Sequence, residues 1–183
     1  MGFHTFDASK AEGLEDVARY QYVSVDELLA LFDPDGGVVA DLGSGTGFYT
    51  DDVAPYAGRV YAVDVQPEMH EFYRTKGAPD NVEFVTAEVL DLPFEDGLLD
   101  AVFSTMTFHE FATESALAEV ARVLADGGRL GVADWSARGL NEAGPPLEER
   151  YDLADAVEMA EAAGLTVEHG DERRETFVLR ATA

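Results

Sequence analysis

The segment Val38-Val39-Ala40-Asp41-Leu42-Gly43-Ser44-Gly45-Thr46-Gly47 leaves a short apolar run through three alternate glycines. Glycines so spaced admit backbone angles closed to other residues and let a ligand approach the main chain. Taken alone, such a loop reads equally well as a tight strand-to-helix turn. The next apolar run ends in Ala62-Val63-Asp64. This places a carboxylate about 20 residues beyond the loop, the spacing at which an acid accepts hydrogen bonds from a ribose diol. The plain alternative for Asp64 is a turn or capping carboxylate ahead of Pro67. Farther along, Ser104-Thr105-Met106-Thr107-Phe108-His109-Glu110-Phe111 and Asp134-Trp135 follow two more apolar runs. His109 is a candidate general base, since an unperturbed imidazole titrates near neutrality. Packing or hydrogen bonding at the start of the next helix is its structural alternative.

These residues need elements to position them, and apolar periodicity supplies the elements. Ser9-x-x-Glu12 and Ser24-x-x-Glu27 are capping-box patterns that predict two helices before the first strand. Strands are predicted over 38–42, 60–63, 82–86, 99–104 and 129–134, with closing strands at 165–167 and 176–179. Helices are predicted over 48–54, from Pro67, through Leu117, Val120, Ala121 and Leu124 until Gly127-Gly128 stops the helix, and over 153–163. Alternating strand and helix implies an α/β, doubly wound, mostly parallel sheet, with ligands bound at the carboxyl ends of strands where the order reverses.

The 183 residues suit one domain, with residues 1–36 as a helical cover and 37–183 as the core. There is no cysteine, which excludes disulfides, thiolate metal sites and a cysteine nucleophile. The four histidines lack ligand spacing, so no metal is expected. With 12 basic and 37 acidic residues the formal net charge is −25, a balance that repels nucleic acid and anionic membranes. Nothing in the chain reads as a secretory signal or membrane span, so a cytoplasmic location is expected. An acid excess of this size looks like that of proteins from salt-loving archaea, where molar salt cuts the Debye length to roughly 3 Å.

The glycine loop, Val63-Asp64-Val65, Asp91-Leu92-Pro93-Phe94, Leu99-Asp100-Ala101-Val102-Phe103 and the segment from Glu119 to Gly128 occur in the order found in one family. From about Val38 to Asp134 the chain closely resembles the class I S-adenosylmethionine-dependent methyltransferases, especially small ones related to the quinone-biosynthesis enzymes. The resemblance implies a seven-stranded Rossmann-like fold with an antiparallel closing strand, and S-adenosylmethionine as cofactor. It implies that Asp41 and the backbone of Gly43, Ser44, Gly45, Thr46 and Gly47 hold the methionine part. Asp64 would bind both ribose hydroxyls, Glu88 and Val89 the adenine, and Val65 and Ser104 would complete the cofactor site. Where this chain has Glu88 the family usually has aspartate.

Charge favours this cofactor over a dinucleotide, because a sulfonium with an ammonium group is attracted by acids that would repel a pyrophosphate. The expected acceptor is a small molecule entering near His109 and Trp135. Tyr20 and Arg150 are further candidates for its pocket, and Phe3, Phe6, Tyr20 and Tyr22 for a lid. For Arg150 a surface ion pair with a nearby glutamate is the default reading. Two other functions stay open: an aminopropyltransferase using decarboxylated S-adenosylmethionine, and a non-catalytic binding or scaffold protein. Oligomeric state is not readable.

Overall fold

The computed structural model describes residues 6–183, so the lid candidate Phe3 lies outside the described residues. Seven strands form one sheet: β1 (Val38–Leu42), β2 (Arg59–Asp64), β3 (Val82–Thr86), β4 (Leu99–Thr105), β5 (Leu124–Trp135), β6 (Thr166–Glu172) and β7 (Thr176–Thr182). Their order is β3-β2-β1-β4-β5-β7-β6. The first five are parallel, and β7 runs antiparallel to both β5 and β6. This is the doubly wound sheet expected from the alternating pattern, and the Rossmann-like form with an antiparallel closing strand that the resemblance implies.

Side-chain alternation divides the sheet between two apolar layers. Val39, Val60, Ala101 and Phe103 face α1 (Val25–Phe32), α2 (Phe48–Val53) and α3 (Pro67–Lys76). Ala40, Leu42, Val102, Leu130 and Val132 face α5 (Glu114–Val123) and α6 (Leu153–Ala162). The central strands are therefore covered on both sides, which is why they are mainly apolar rather than alternating. Phe32 stacks on Phe103 with ring centroids 4.7 Å apart, and both are fully buried. Each such ring contributes about 1.5–3 kcal/mol of burial free energy.

Two predicted boundaries differ. The Ser9-x-x-Glu12 segment forms a 3-10 helix over Ala8–Glu15, capped by Asp7, whose carboxylate takes both the Ser9 N–H (3.0 Å) and its hydroxyl (2.7 Å). Asp7 engages the serine that the box requires, and only Ala11 of this segment is buried, so no apolar stripe holds it as an α-helix. At the other site Ser24 does cap α1, accepting from Glu27 N, while the Glu27 carboxylate turns to Arg173 instead of closing the box. Gly127 and Gly128 also do not end α5. The helix ends at Val123, because Leu124 already pairs with Leu99, and the glycines lie in the bulge before Arg129 pairs with Ala101.

Among the described residues no helix is long and apolar enough to cross a membrane. No group of three acidic or histidine side chains among them is arranged to hold a metal ion.

Candidate functional site

The strand order reverses between β1 and β4, and a cleft of about 780 Å³ opens at the carboxyl ends of these strands. Its volume suits a small-molecule site. Register brings the acids together: Asp41 lies opposite Ala62, and Leu42 opposite Val63, so Asp41 and Asp64 emerge at the same edge. Gly43 N and Ser44 N both donate to Val63 O (2.9 and 3.0 Å), folding the glycine loop over the end of β2. Asp64 holds it there, accepting from Gly45 N and Gln66 N, each at 2.9 Å. A carboxylate offers about four lone-pair sites, so Asp64 keeps acceptor capacity for a diol.

Asp41 is buried and accepts from the Thr50 hydroxyl at 2.6 Å through Oδ2. Its Oδ1, the Ser44 hydroxyl and the Thr46 hydroxyl are buried with no hydrogen-bond partner. Burial, then the charge of Asp64, pushes the Asp41 carboxyl up to about 7, against the Thr50 bond and Arg19. A desolvated carboxylate oxygen without a donor is costly, so these groups ask for a cationic, hydrogen-bonding ligand. Val65, Glu88 and Val89 line the same cleft beyond Asp64. Carboxylates, main-chain loop and apolar walls fit the ammonium, ribose and adenine of S-adenosylmethionine.

At the other end His109 lies in the single turn of α4 (Phe108–Phe111). Its Nδ1 lies 3.0 Å from Asp134 Oδ2, and the fully buried Asp134 also accepts from His109 N (2.6 Å) and Trp135 N (2.8 Å). A carboxylate only accepts, so the ring proton sits on Nδ1 and Nε2 is left basic. Burial opposes charging of this imidazole, but Asp134 outweighs it and the pKa is raised. The neighbouring Glu110 is pushed up to about 7 by burial, assisted by Asp64 and Asp134 and opposed by His109. Met106, Phe111, Trp135, Pro145 and Pro146 complete the apolar lining there.

The N-terminal segment covers the cleft with Phe6, Lys10, Leu14 and Arg19. It is tied down by Gln66 Nε2 donating to Phe6 O (3.0 Å) and by Lys76 bridging Glu15 (3.1 Å) and Asp51 (2.8 Å). Of the lid aromatics, Phe6 lines the cleft, whereas Tyr22 packs edge-on against Trp135 at 4.7 Å.

Four expected site residues stand elsewhere. Gly47 has φ +77 and caps α2, and a Cβ there would fall 2.1 Å from the Tyr73 ring, so it serves close packing and does not line the cleft. Ser104 is fully buried and donates to Leu42 O at 2.9 Å, joining β4 to β1; its successor Thr105 faces the cleft. Tyr20 packs on Phe48 and donates to Asp52 at 2.7 Å, and the adjacent Arg19 lines the cleft in its place. Arg150 makes no surface pair: its guanidinium is fully buried among loop carbonyls and Glu175, away from the cleft. Arg19 and Glu110 gave no motif to read, although Glu110 adjoins His109.

A family model described as a methyltransferase domain matches residues 40–132. A methyltransferase-like protein of Schizosaccharomyces pombe is 37% identical over 102 residues, 55% of this chain and 39% of that one. A demethylmenaquinone methyltransferase of Thermus thermophilus is 41% identical over 103 residues, 53% of this chain and 46% of that one. The chain thus spans less than half the length of these curated relatives. A crystal structure of a SAM-dependent methyltransferase from Aquifex aeolicus superposes with a TM-score of 0.88 at 31% identity, covering 97% of this chain and 99% of that one. The chain belongs to the S-adenosylmethionine-dependent methyltransferase family, and S-adenosylmethionine is the cofactor this fold and site are built for.

Proposed function

We propose that this chain transfers a methyl group from S-adenosylmethionine to an oxygen or nitrogen of a small molecule, releasing S-adenosylhomocysteine. The observation that carries the reading is one cleft with the unpartnered Asp41 Oδ1 and Asp64 at one end and the His109–Asp134 pair at the other. The sulfonium supplies the electrophilic methyl carbon. Asp41 and the main chain of Gly43 to Thr46 hold the amino-acid part, Asp64 and Val65 the ribose, and Glu88 and Val89 the base. Displacement needs nucleophile, methyl and sulfur in line, so holding the acceptor does most of the work. His109 Nε2 takes the acceptor proton while Asp134 fixes the tautomer and balances the imidazolium.

Of the N-terminal segment, Phe6, Lys10, Leu14 and Arg19 act as the cover of the cleft, in a single functional unit that works in the cytoplasm. Titration calorimetry with S-adenosylmethionine, S-adenosylhomocysteine, decarboxylated S-adenosylmethionine and NAD is expected to show tight binding of the first two. NAD binding without S-adenosylmethionine binding would overturn the reading. On a panel of phenols, amines and carboxylic acids, His109→Ala should cut turnover about 10²–10⁴-fold with cofactor affinity kept. Because a base works unprotonated, the rate should rise with pH through an imidazole pKa raised above its ordinary 6.5. Undiminished turnover by His109→Ala would remove His109 from the chemistry.

A further inference from the structure

After Trp135 the chain makes an excursion whose ends meet again: Ser136 bridges Tyr151, and Ala137 N donates to Tyr151 O at 2.9 Å. Residues 136–151 thus form a closed loop packed by its own side chains, the geometry of an Ω-loop. Its interior is filled by a single guanidinium. Arg150 has a fully buried side chain whose Nε donates to Pro145 O at 2.7 Å. Its Nη2 donates to Ala143 O and Asn141 Oδ1, and Nη1 to Ser136 O at 3.3 Å. Glu175, the residue before β7, lies 3.5 Å from Nη1 and receives Leu140 N (3.0 Å) and Glu142 N (3.3 Å) on its other oxygen. The pair therefore binds the loop from inside at four carbonyl or amide oxygens and two N–H groups.

The wrapping is tight on both sides. A Cβ on Gly139 would come within 2.9 Å of Glu175 and 3.0 Å of Arg150. Gly144, at φ +82, lies so close to Trp135 that a Cβ would sit 2.5 Å from the indole. The stretch that follows, Pro145-Pro146, faces the cleft together with Trp135. The Arg150 guanidinium also lies 5.7 Å from the Trp135 ring centroid.

We propose that the buried Arg150–Glu175 pair is a positioning device for the methyl acceptor: it holds the 136–150 loop closed, so that Gly144, Pro145 and Pro146 make a fixed wall against Trp135. This rests on the reading that the Trp135 end of the cleft receives the acceptor. Neither residue touches the acceptor; both act through the wall. Proline at two successive positions limits the wall's own freedom, and the guanidinium removes what is left by taking the carbonyls on either side. An acceptor then meets a preformed slot, and little ordering cost is left to binding.

Trp135 is the only tryptophan in the chain, so its fluorescence reports this wall directly. The test compares the full chain with Glu175→Gln, which keeps the oxygen facing Leu140 and Glu142, with Arg150→Met, and with Gly144→Ala, which pushes the wall off the indole without touching the pair. Each variant is expected to red-shift the emission and raise the acrylamide quenching constant about twofold or more. Affinity for S-adenosylhomocysteine, which occupies the far end, should stay within about twofold. With whichever panel acceptor is turned over, KM should rise about tenfold or more while kcat changes far less. If Arg150→Met fails to fold, Glu175→Gln and Gly144→Ala carry the comparison. Unchanged quenching in those two overturns the proposal, and so does an equal loss of S-adenosylhomocysteine affinity, which would mark the pair as general scaffolding. A loosened wall with acceptor KM unchanged would overturn the placement of the acceptor while leaving the cofactor assignment intact.

Discussion

Asp41 offers the sharpest quantitative test, because its burial and its missing partner make opposite demands. Burial, with Asp64 at its side, raises the carboxyl to about 7 in the free protein, while the Oδ1 atom without a donor needs a cation to face. Only the charged form satisfies an ammonium group. At a pKa of about 7, the charged fraction is about 90% at pH 8, about half at pH 7, roughly 10% at pH 6 and about 1% at pH 5. When only that fraction competes for the cofactor, the apparent Kd is divided by it, so affinity falls roughly fivefold from pH 7 to 6 and roughly 50-fold from pH 7 to 5. Those losses correspond to about 1 and about 2.3 kcal/mol.

Binding must also expel the proton from whatever share of Asp41 carries one. Calorimetry at pH 7 in buffers of different ionisation enthalpy should report about half a proton released per cofactor bound, rising toward one at pH 6 and falling to about 0.1 at pH 8. The same groups face Asp41 throughout: Thr50 and Arg19 hold the charge on, and Asp64 pushes it off. Asp41→Asn should bind more weakly at pH 8 and lose most of the slope below pH 7. An affinity flat between pH 5.5 and 8, or no proton release at pH 7, would refute the argument that Asp41 is the ammonium partner.

The same raised carboxyl has a cost in stability. Between its ordinary 3.8 and about 7 the folded chain keeps a proton that the unfolded chain has lost, so stability falls as pH rises through that window and stays lowered above it. Cofactor-free Asp41→Asn should therefore unfold later than the parent at pH 8, by about 1–4 kcal/mol in urea titrations, with the gap closing near pH 4; a variant less stable at pH 8 would contradict this. With a net charge of −25, the melting temperature should climb between dilute buffer and molar KCl, as calorimetry or circular dichroism would register. Equal melting in both would show that self-repulsion is unimportant here.

The fold was largely legible because each layer has a simple apolar signature. Strands such as β1 and β4 are covered on both faces and read as mainly apolar runs interrupted by Asp41 and Asp100, and α5 shows its buried Leu117 and Val120 at helical spacing. The cover was less legible. Residues 8–21 bury almost nothing of their own, so local capping decided their form, and Asp7 captured the serine on which the helix reading depended. Gly127 and Gly128 misled for a related reason: glycine marks a break in regular backbone, but a helix end and a bulge entering a strand look alike until the pairing partner, here Leu99, is known.

Within the site, legibility followed the atoms that do the contacting. The glycine loop and Asp64 meet a ligand through the main chain and a carboxylate fixed at a strand end, and topology alone puts both at the switch point. Side chains one residue apart on a strand face opposite ways, which is enough to exchange Ser104 for Thr105. Arginine is harder still, because its long stem lets partners choose its direction. Arg150 follows the cleft-lining Pro145 and Pro146 closely along the chain, yet Glu175, 25 residues later in sequence, draws it inward. Arg19 lines the cleft but spends its guanidinium on Leu14 O and the faces of Phe48 and Tyr49. An acceptor carboxylate entering beside Trp135 would thus meet Glu110 and Glu149 in the wall, with no guanidinium turned toward it from Arg150. That charge pattern ranks carboxylic acids last on the acceptor panel, behind phenols and amines, for the same reason that the cofactor end welcomes a sulfonium.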